Sequence, residues 1–86
     1  MEKYKILIRK SAAKELDKIP KRDLKRILQR IKSLSKKPRP SGSEKLSGQE
    51  RYRIRQGNYR IVYSVQDKEH SVWIVKIGHR SEVYRS

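Results

Sequence analysis

The segment Arg51–Val65, RYRIRQGNYRIVYSV, alternates apolar and polar residues on both sides of a Gly-Asn pair. Such alternation is typical of β-strands that bury one face, and glycine at the first central position suits the tight turns of β-hairpins. We therefore predict two antiparallel strands, Tyr52–Gln56 and Tyr59–Gln66, joined by Gly57 and Asn58.

A two-residue turn also fixes which residues of the two strands oppose each other. Gln56 pairs with Tyr59, and directly opposed residues project to the same face of a sheet. One face should then be apolar, with Tyr52, Ile54, Ile61, Tyr63 and Val65. The other should carry four guanidinium groups, those of Arg51, Arg53, Arg55 and Arg60, beside Val62 and Ser64.

The four arginines indicate a binding site for a polyanion. Arg55 opposes Arg60 in this register, and opposed like charges destabilise a sheet by some tenths of a kcal/mol. A merely solvated face is the alternative, but lysine, glutamate or threonine would serve there equally well. Arginine is the side chain suited to bidentate phosphate contacts, which favours the polyanion interpretation.

The charge of the whole chain agrees with this interpretation. The 86 residues include 24 Lys+Arg against 9 Asp+Glu, a formal net charge of +15. A field of this sign attracts nucleic acids through their phosphates. A membrane partner is not expected, because no predicted helix combines a basic face with bulky aromatic anchors.

Length and composition predict one small cytoplasmic domain spanning residues 1–86. There is no cysteine and there are only two histidines, which argues against a disulfide framework and against a metal site. The N-terminal apolar run is too short for a signal peptide or a membrane span. Neither a metal nor a cofactor is expected.

The rest of the chain adds one strand, two helices, a loop and a last strand. The alternation in YKILIR predicts a strand, and Ser11 should be the N-cap of a helix that continues to Ile19. Apolar residues at three- and four-residue spacing predict a second helix, which Pro20 can open. The expected elements are a strand at Tyr4–Arg9, a helix at Arg22–Ser35, a loop at Lys36–Gly48 and a strand at Ser71–Ile77.

This order predicts an α+β fold in two layers, β-α-α-β-β-β. The last three strands should form an antiparallel meander with both helices on one face. The pattern does not indicate which strand pairs with the first one. The segment after Gly78 adds His79, Arg80, Tyr84 and Arg85; a histidine can exchange protons near neutral pH, and a tyrosine can donate a proton or stack on a base.

Three motifs in this order resemble the RelE/ParE superfamily of toxin–antitoxin toxins, and the RelE branch in particular. They are EKLSG before the hairpin, YRIRQGNYRIVYSV in it, and VKIGHRSEVY at the end. The resemblance implies a RelE-like fold and a metal-independent endoribonuclease that cuts mRNA in the A site of the 30S ribosomal subunit. The 2′-hydroxyl would attack the adjacent phosphate, and translation would stop.

The same resemblance assigns residues. Arg60, Arg80, Tyr84 and His79 are the candidate catalytic residues, with Tyr84 and His79 the two candidates for acid and base. The resemblance places contacts to the RNA at Arg53, Arg55 and Lys45. Arg51, from the outward face of the hairpin, is expected to be a general phosphate or solvent contact. The chain departs from several relatives in stopping at Ser86, without a further helix after the EVY motif, which leaves the positioning of Tyr84 open.

The resemblance also implies partners. An acidic, RelB-like antitoxin would cover the basic face and form a hetero-oligomer with a toxin that is monomeric alone. Two other functions remain open at this point: a ParE-like inhibitor of DNA gyrase without nuclease activity, and a catalytically inert RNA-binding module.

Overall fold

The computed structural model describes residues 3–46 and 51–79, and it has one strand, two helices and four further strands in chain order. The elements are β1 (Lys5–Ile8), α1 (Lys10–Leu16), α2 (Lys21–Ser33), β2 (Glu44–Lys45), β3 (Arg51–Gln56), β4 (Tyr59–Gln66) and β5 (Ser71–His79). A 3₁₀ turn, Asp67–Glu69, joins the last two strands. The predicted α+β sandwich is confirmed.

The sheet has five strands in the order β1-β5-β4-β3-β2. β3, β4 and β5 form the predicted antiparallel meander. The first strand, whose neighbour the sequence left open, pairs in parallel with β5, with Ile6 beside Val72. The segment expected to be a loop contains β2, two residues that pair with Arg53 and Tyr52 of β3. A strand of two charged residues has no apolar–polar alternation, so it could not be predicted from the sequence.

The helices cover one face of this sheet and enclose the core. α2 contributes Ile27 and Ile31, and the C-cap Leu34 is also fully buried. The sheet contributes the apolar residues predicted for the hairpin and those of β5: Ile54, Ile61, Tyr63, Val65, Val72, Ile74 and Ile77. Tyr52 packs at the margin of this cluster.

A β-bulge in β5 allows apolar side chains on both sides of the bulge to face the core. Val62 pairs with Lys76 while Tyr63 pairs with Ile74, so Val75 has no opposite residue in β4. One extra residue restores the alternation. Ile74 and Ile77, three positions apart, can therefore both face the helices.

The start of α1 differs from the prediction. Arg9, not Ser11, occupies the N-cap position, and no side chain caps the helix. The Ser11 hydroxyl instead donates to the carbonyl oxygen of Val75 at the bulge, at 3.3 Å. The helix ends at Leu16, before Ile19, which is nevertheless buried. In the described part of the chain, neither helix is long and apolar enough to span a membrane.

Candidate nucleic-acid interface

The arginine face of the hairpin, defined by Arg51, Arg53, Arg55 and Arg60, has the predicted register. Arg51 pairs with Ser64, Arg53 with Val62 and Arg55 with Arg60. Gly57 has a φ of +61° and Asn58 is not among the described residues with positive φ, as in a type II′ turn. Because the turn is tight and both strands lie within the sheet, the backbones that carry these side chains are held rigidly.

The arginines of this face differ in exposure and in their partners. Arg60 is only 5% exposed, and its Nη1 donates to the carbonyl oxygen of Tyr59 at 3.1 Å. The Arg53 side chain, 20% exposed, forms an ion pair with Glu44 at 3.0 Å. Arg55 is exposed. The burial of a charged side chain is unusual and restricts its conformations, so Arg60 is the most preorganised donor of the arginine face.

A cleft of about 280 Å³ opens where β2 leaves the edge of β3 uncovered. Its lining residues are Arg30, Gly42, Glu44, Arg53, Ile54, Arg55 and Arg60. Four of these seven residues are arginines and one is a carboxylate, so the cleft has a net positive charge. Arg30 and Glu44 could not be assigned to the site from the sequence. A basic residue on a helix and an acidic residue in a predicted loop are ordinarily exposed to solvent.

The register directs His79 to the other side of the sheet from Arg60. His79 pairs with Tyr59, and Arg60 pairs with Gly78, so His79 and Arg60 belong to alternate positions. The His79 ring meets the Tyr59 ring edge-on, with the centroids 6.0 Å apart. His79 is exposed at the last position of β5, so it lies at the margin of the arginine face and not within it.

The remaining predicted residues fall in two groups. Lys45 is exposed in β2, opposite Tyr52, and Arg51 is half-buried at the start of β3. Arg80 and Tyr84 lie outside the described residues. Within residues 3–46 and 51–79, no group of three or more His, Cys, Asp or Glu side chains could hold a metal ion.

A polar clasp, made by Arg39, Asp67, Tyr4 and Tyr52, ties the loop after α2 to the far end of the sheet. Arg39 forms two hydrogen bonds to the Asp67 carboxylate, at 2.8 and 3.2 Å, and its Nε donates to the Tyr52 hydroxyl at 2.9 Å. The Tyr4 hydroxyl donates to Asp67 at 2.8 Å. The bonds from Arg39 and then from Tyr4 lower the pKa of Asp67, and the bond to Asp67 raises the pKa of Tyr4.

Tyr63 also contacts the loop after α2, from the core side of the sheet. Its ring is fully buried, and its hydroxyl donates to the carbonyl oxygen of Pro38 at 2.7 Å. Burial raises the pKa of this phenol, and the nearby charges of Arg30 and Arg39 lower it by less. The loop that leads to Glu44 is thus held at Pro38 and Arg39.

Comparison with known proteins is consistent with this architecture. The sequence profile of the ParE toxin of the type II toxin–antitoxin system parDE matches residues 6–84. Toxin RelG of Mycobacterium tuberculosis H37Rv is 29% identical over 86 residues, which cover 95% of this chain and 97% of that protein.

Two solved structures have the same fold. A chain of the archaeal RelE–RelB complex from Pyrococcus horikoshii is 34% identical, with a TM-score of 0.81 over 90% of this chain and 94% of that one. A chain of the toxin–antitoxin complex RelBE2 from Mycobacterium tuberculosis is 26% identical, with a TM-score of 0.82 over 91% of this chain and 99% of that one.

Proposed function

Because this chain belongs to the RelE/ParE superfamily of type II toxin–antitoxin toxins, we propose that it is a ribosome-dependent mRNA endonuclease. The observation that carries the proposal is the buried Arg60, which shares one face of the hairpin with Arg55 and Arg53. A fixed guanidinium cluster of this kind fits the negative charge that develops when a phosphodiester is cleaved.

The reaction begins with attack of a ribose 2′-hydroxyl on the adjacent phosphorus. A new O2′–P bond forms as the P–O5′ bond breaks, leaving a 2′,3′-cyclic phosphate and a 5′-hydroxyl. The 2′-hydroxyl gives up a proton to a base, and the departing O5′ receives one from an acid. Charge accumulates meanwhile on the non-bridging oxygens of the phosphorane.

Arg60 is assigned to these non-bridging oxygens, because its position is the most fixed. One preorganised donor in an oxyanion-type site is typically worth ~3 kcal/mol of barrier. Arg53 and Arg55 hold the mRNA strand on either side, with Lys45 and Arg51 as more distant phosphate contacts. Arg80 joins Arg60 at the phosphorane in this proposal.

The proton transfers are assigned to Tyr84 and His79. Tyr84 follows from its sequence motif alone. For His79 the geometry is less favourable, because the alternation of side chains along the strands directs it away from Arg60. It would have to exchange a proton from its position at the end of β5. This chemistry uses no metal and no cofactor.

The partners follow from the charge and from the relatives. The archaeal and mycobacterial relatives come from toxin–antitoxin complexes, and an acidic antitoxin of the RelB type would neutralise a chain with a net charge of +15. The toxin alone acts as a monomer in the cytoplasm, where it enters the A site of the 30S subunit and meets mRNA.

Primer extension on an mRNA under translation by purified ribosomes tests the proposal. We expect cuts within codons at the A site, and almost none on the same RNA without ribosomes. Intact mRNA in both samples would contradict the endonuclease function and leave the gyrase inhibitor and the inert RNA-binding module as alternatives.

The match to the ParE profile supports a second candidate function, inhibition of DNA gyrase. A supercoiling assay with purified gyrase, run with the same protein preparation, separates the two. Loss of supercoiling with uncut mRNA would favour the gyrase inhibitor, whereas cut mRNA with normal supercoiling supports the endonuclease.

A further inference from the structure

Arg30 of α2 has a donor that the fold leaves unused. Its Nε atom is buried, yet it has no hydrogen-bond partner among the described residues. A buried donor on a charged group is costly when unpaired, so an unpaired one in a native protein calls for an explanation, and a bound ion is one of them. Arg30 also lines a cleft with three further arginines, and this combination favours an anionic ligand there.

Arg30 also connects two clefts. It lines the cleft of about 280 Å³ together with Arg53, Arg55 and Arg60. It lines a second cleft, of about 290 Å³, whose other lining residues are Arg26, Gln29, Ser33 and Gln56. Because Arg30 lines both clefts, a continuous strand could pass from the arginine face to the surface of α2.

The side chains that line this route fit RNA better than a protein segment. Ile54 is the only apolar residue that lines either cleft in the described part of the chain. A disordered acidic segment that folds on binding must bury apolar surface to offset its loss of entropy, and these clefts offer little. Guanidinium, amide and hydroxyl groups suit phosphate oxygens and ribose hydroxyls.

We propose that Arg30 binds a second phosphate of the RNA strand, on the path that leaves the arginine face around the bare edge of β3 and crosses onto α2. The inference rests on the proposed function, since it extends the same RNA site. Arg30 is a binding residue in this role, and the phosphate that it binds is not the scissile one.

Binding of a short single-stranded 2′-O-methyl RNA, which lacks the attacking hydroxyl and stays intact, gives the test. Fluorescence anisotropy at several salt concentrations should show that Arg30→Gln weakens binding several-fold. Each phosphate contact to a single strand contributes about 0.7 to the slope of log K against log salt, so the slope should fall by about that amount.

Arg22→Gln is the matched control. Arg22 lies on the same helix and is exposed, it lines neither cleft, and its replacement removes the same charge. It should change the affinity less than twofold and leave the slope unaltered. Equal effects of the two variants would overturn the proposal, because they would reflect net charge alone.

Two further measurements keep the result decisive. In the unaltered protein, the NMR signal of the Arg30 Nε–H should shift on RNA titration; an unmoved signal would overturn the proposal even if Arg30→Gln failed to fold. A polyglutamate peptide tests the protein-partner alternative, which would prevail if Arg30→Gln weakened binding of the peptide and not of RNA.

The ribosomal cleavage assay separates this inference from the proposed function. Cut mRNA with unchanged RNA binding by Arg30→Gln would refute the role of Arg30 alone. Uncut mRNA with weakened RNA binding by Arg30→Gln would refute the nuclease and leave Arg30 as a phosphate contact.

Discussion

Arg55 and Arg60 oppose each other directly across the β3–β4 hairpin, at the first pair beyond the pair that closes the turn. In a two-residue hairpin the closing pair exchanges hydrogen bonds, so the next pair is of the non-hydrogen-bonded kind, in which side chains come closer. Two like charges therefore lie at the position of a sheet where they repel most. A bound phosphate between them would convert this repulsion into attraction on both sides.

Arg60 should be indispensable for cleavage. We expect Arg60→Ala to slow ribosomal mRNA cleavage by ~10²–10³-fold, the loss typical for one donor of an oxyanion-type site. Circular dichroism should show a folded protein. Arg60→Lys keeps the charge but loses the planar fork, and should recover only a small part of the rate. Near-normal rates in both variants would refute the role of Arg60.

Replacing Arg55 should trade function for stability. Arg55→Thr removes the like-charge pair with Arg60 and introduces a good strand former, so the free energy of unfolding should rise by some tenths of a kcal/mol. Affinity for RNA should fall at the same time. Urea unfolding and RNA binding measured on one preparation check both. A less stable variant would show that the pair is not repulsive in the unliganded protein.

Glu44 should restrain the binding of RNA. Its ion pair with Arg53 is largely exposed on the Glu44 side, and pairs of this kind contribute about 0–1 kcal/mol to stability. Glu44→Gln should thus leave the melting temperature nearly unchanged while it tightens RNA binding, because within the described residues Glu44 is the one carboxylate that lines the cleft. Glu69→Gln, an equal charge change in the distant 3₁₀ turn, is the control and should have a smaller effect.

The polar clasp should make stability depend on pH in the acid range. The pKa of Asp67 is lowered from its ordinary 3.8, so the folded state favours the carboxylate. Its contribution is complete above the unfolded-state pKa and is lost as the pH falls through the lower folded-state value. Asp67→Asn should therefore melt at a lower temperature than the unaltered protein near pH 7.

The two proteins should converge in melting temperature as the pH drops below 3.8, and thermal scans by circular dichroism at a series of pH values measure this. A constant difference down to the lowest pH would show that Asp67 stabilises the fold by some means other than its charge.

The hairpin could be predicted from the sequence because its information is local. Gly57 and Asn58 fix the register, and the register assigns each residue from Arg51 to Val65 to a face. The neighbour of β1 could not be predicted, since parallel pairing of Ile6 with Val72 joins residues far apart in the chain. The bulge at Val75 was equally hidden, because it is defined by pairing with β4.

The candidate site also contains residues that local sequence patterns predict and residues that they do not. The arginines of the hairpin follow from alternation, whereas Arg30 and Glu44 reach the site only through tertiary packing. One signal could have indicated Arg30: it follows the buried Ile27 by three residues and precedes the buried Leu34 by four. The helical period therefore places it at the margin of the apolar stripe, within reach of the sheet.

The two-residue turn at Gly57-Asn58 has a consequence for how this protein can change over time. A slip of the hairpin by one residue would bring the arginines into the core and move Ile54 and Ile61 to the outside. A protein with this shifted register could not fold, because the shift that misplaces the arginine face also removes the apolar residues from the core. The residues that build the core therefore also fix the position of the arginine face, and an insertion that shifts this register should prevent folding.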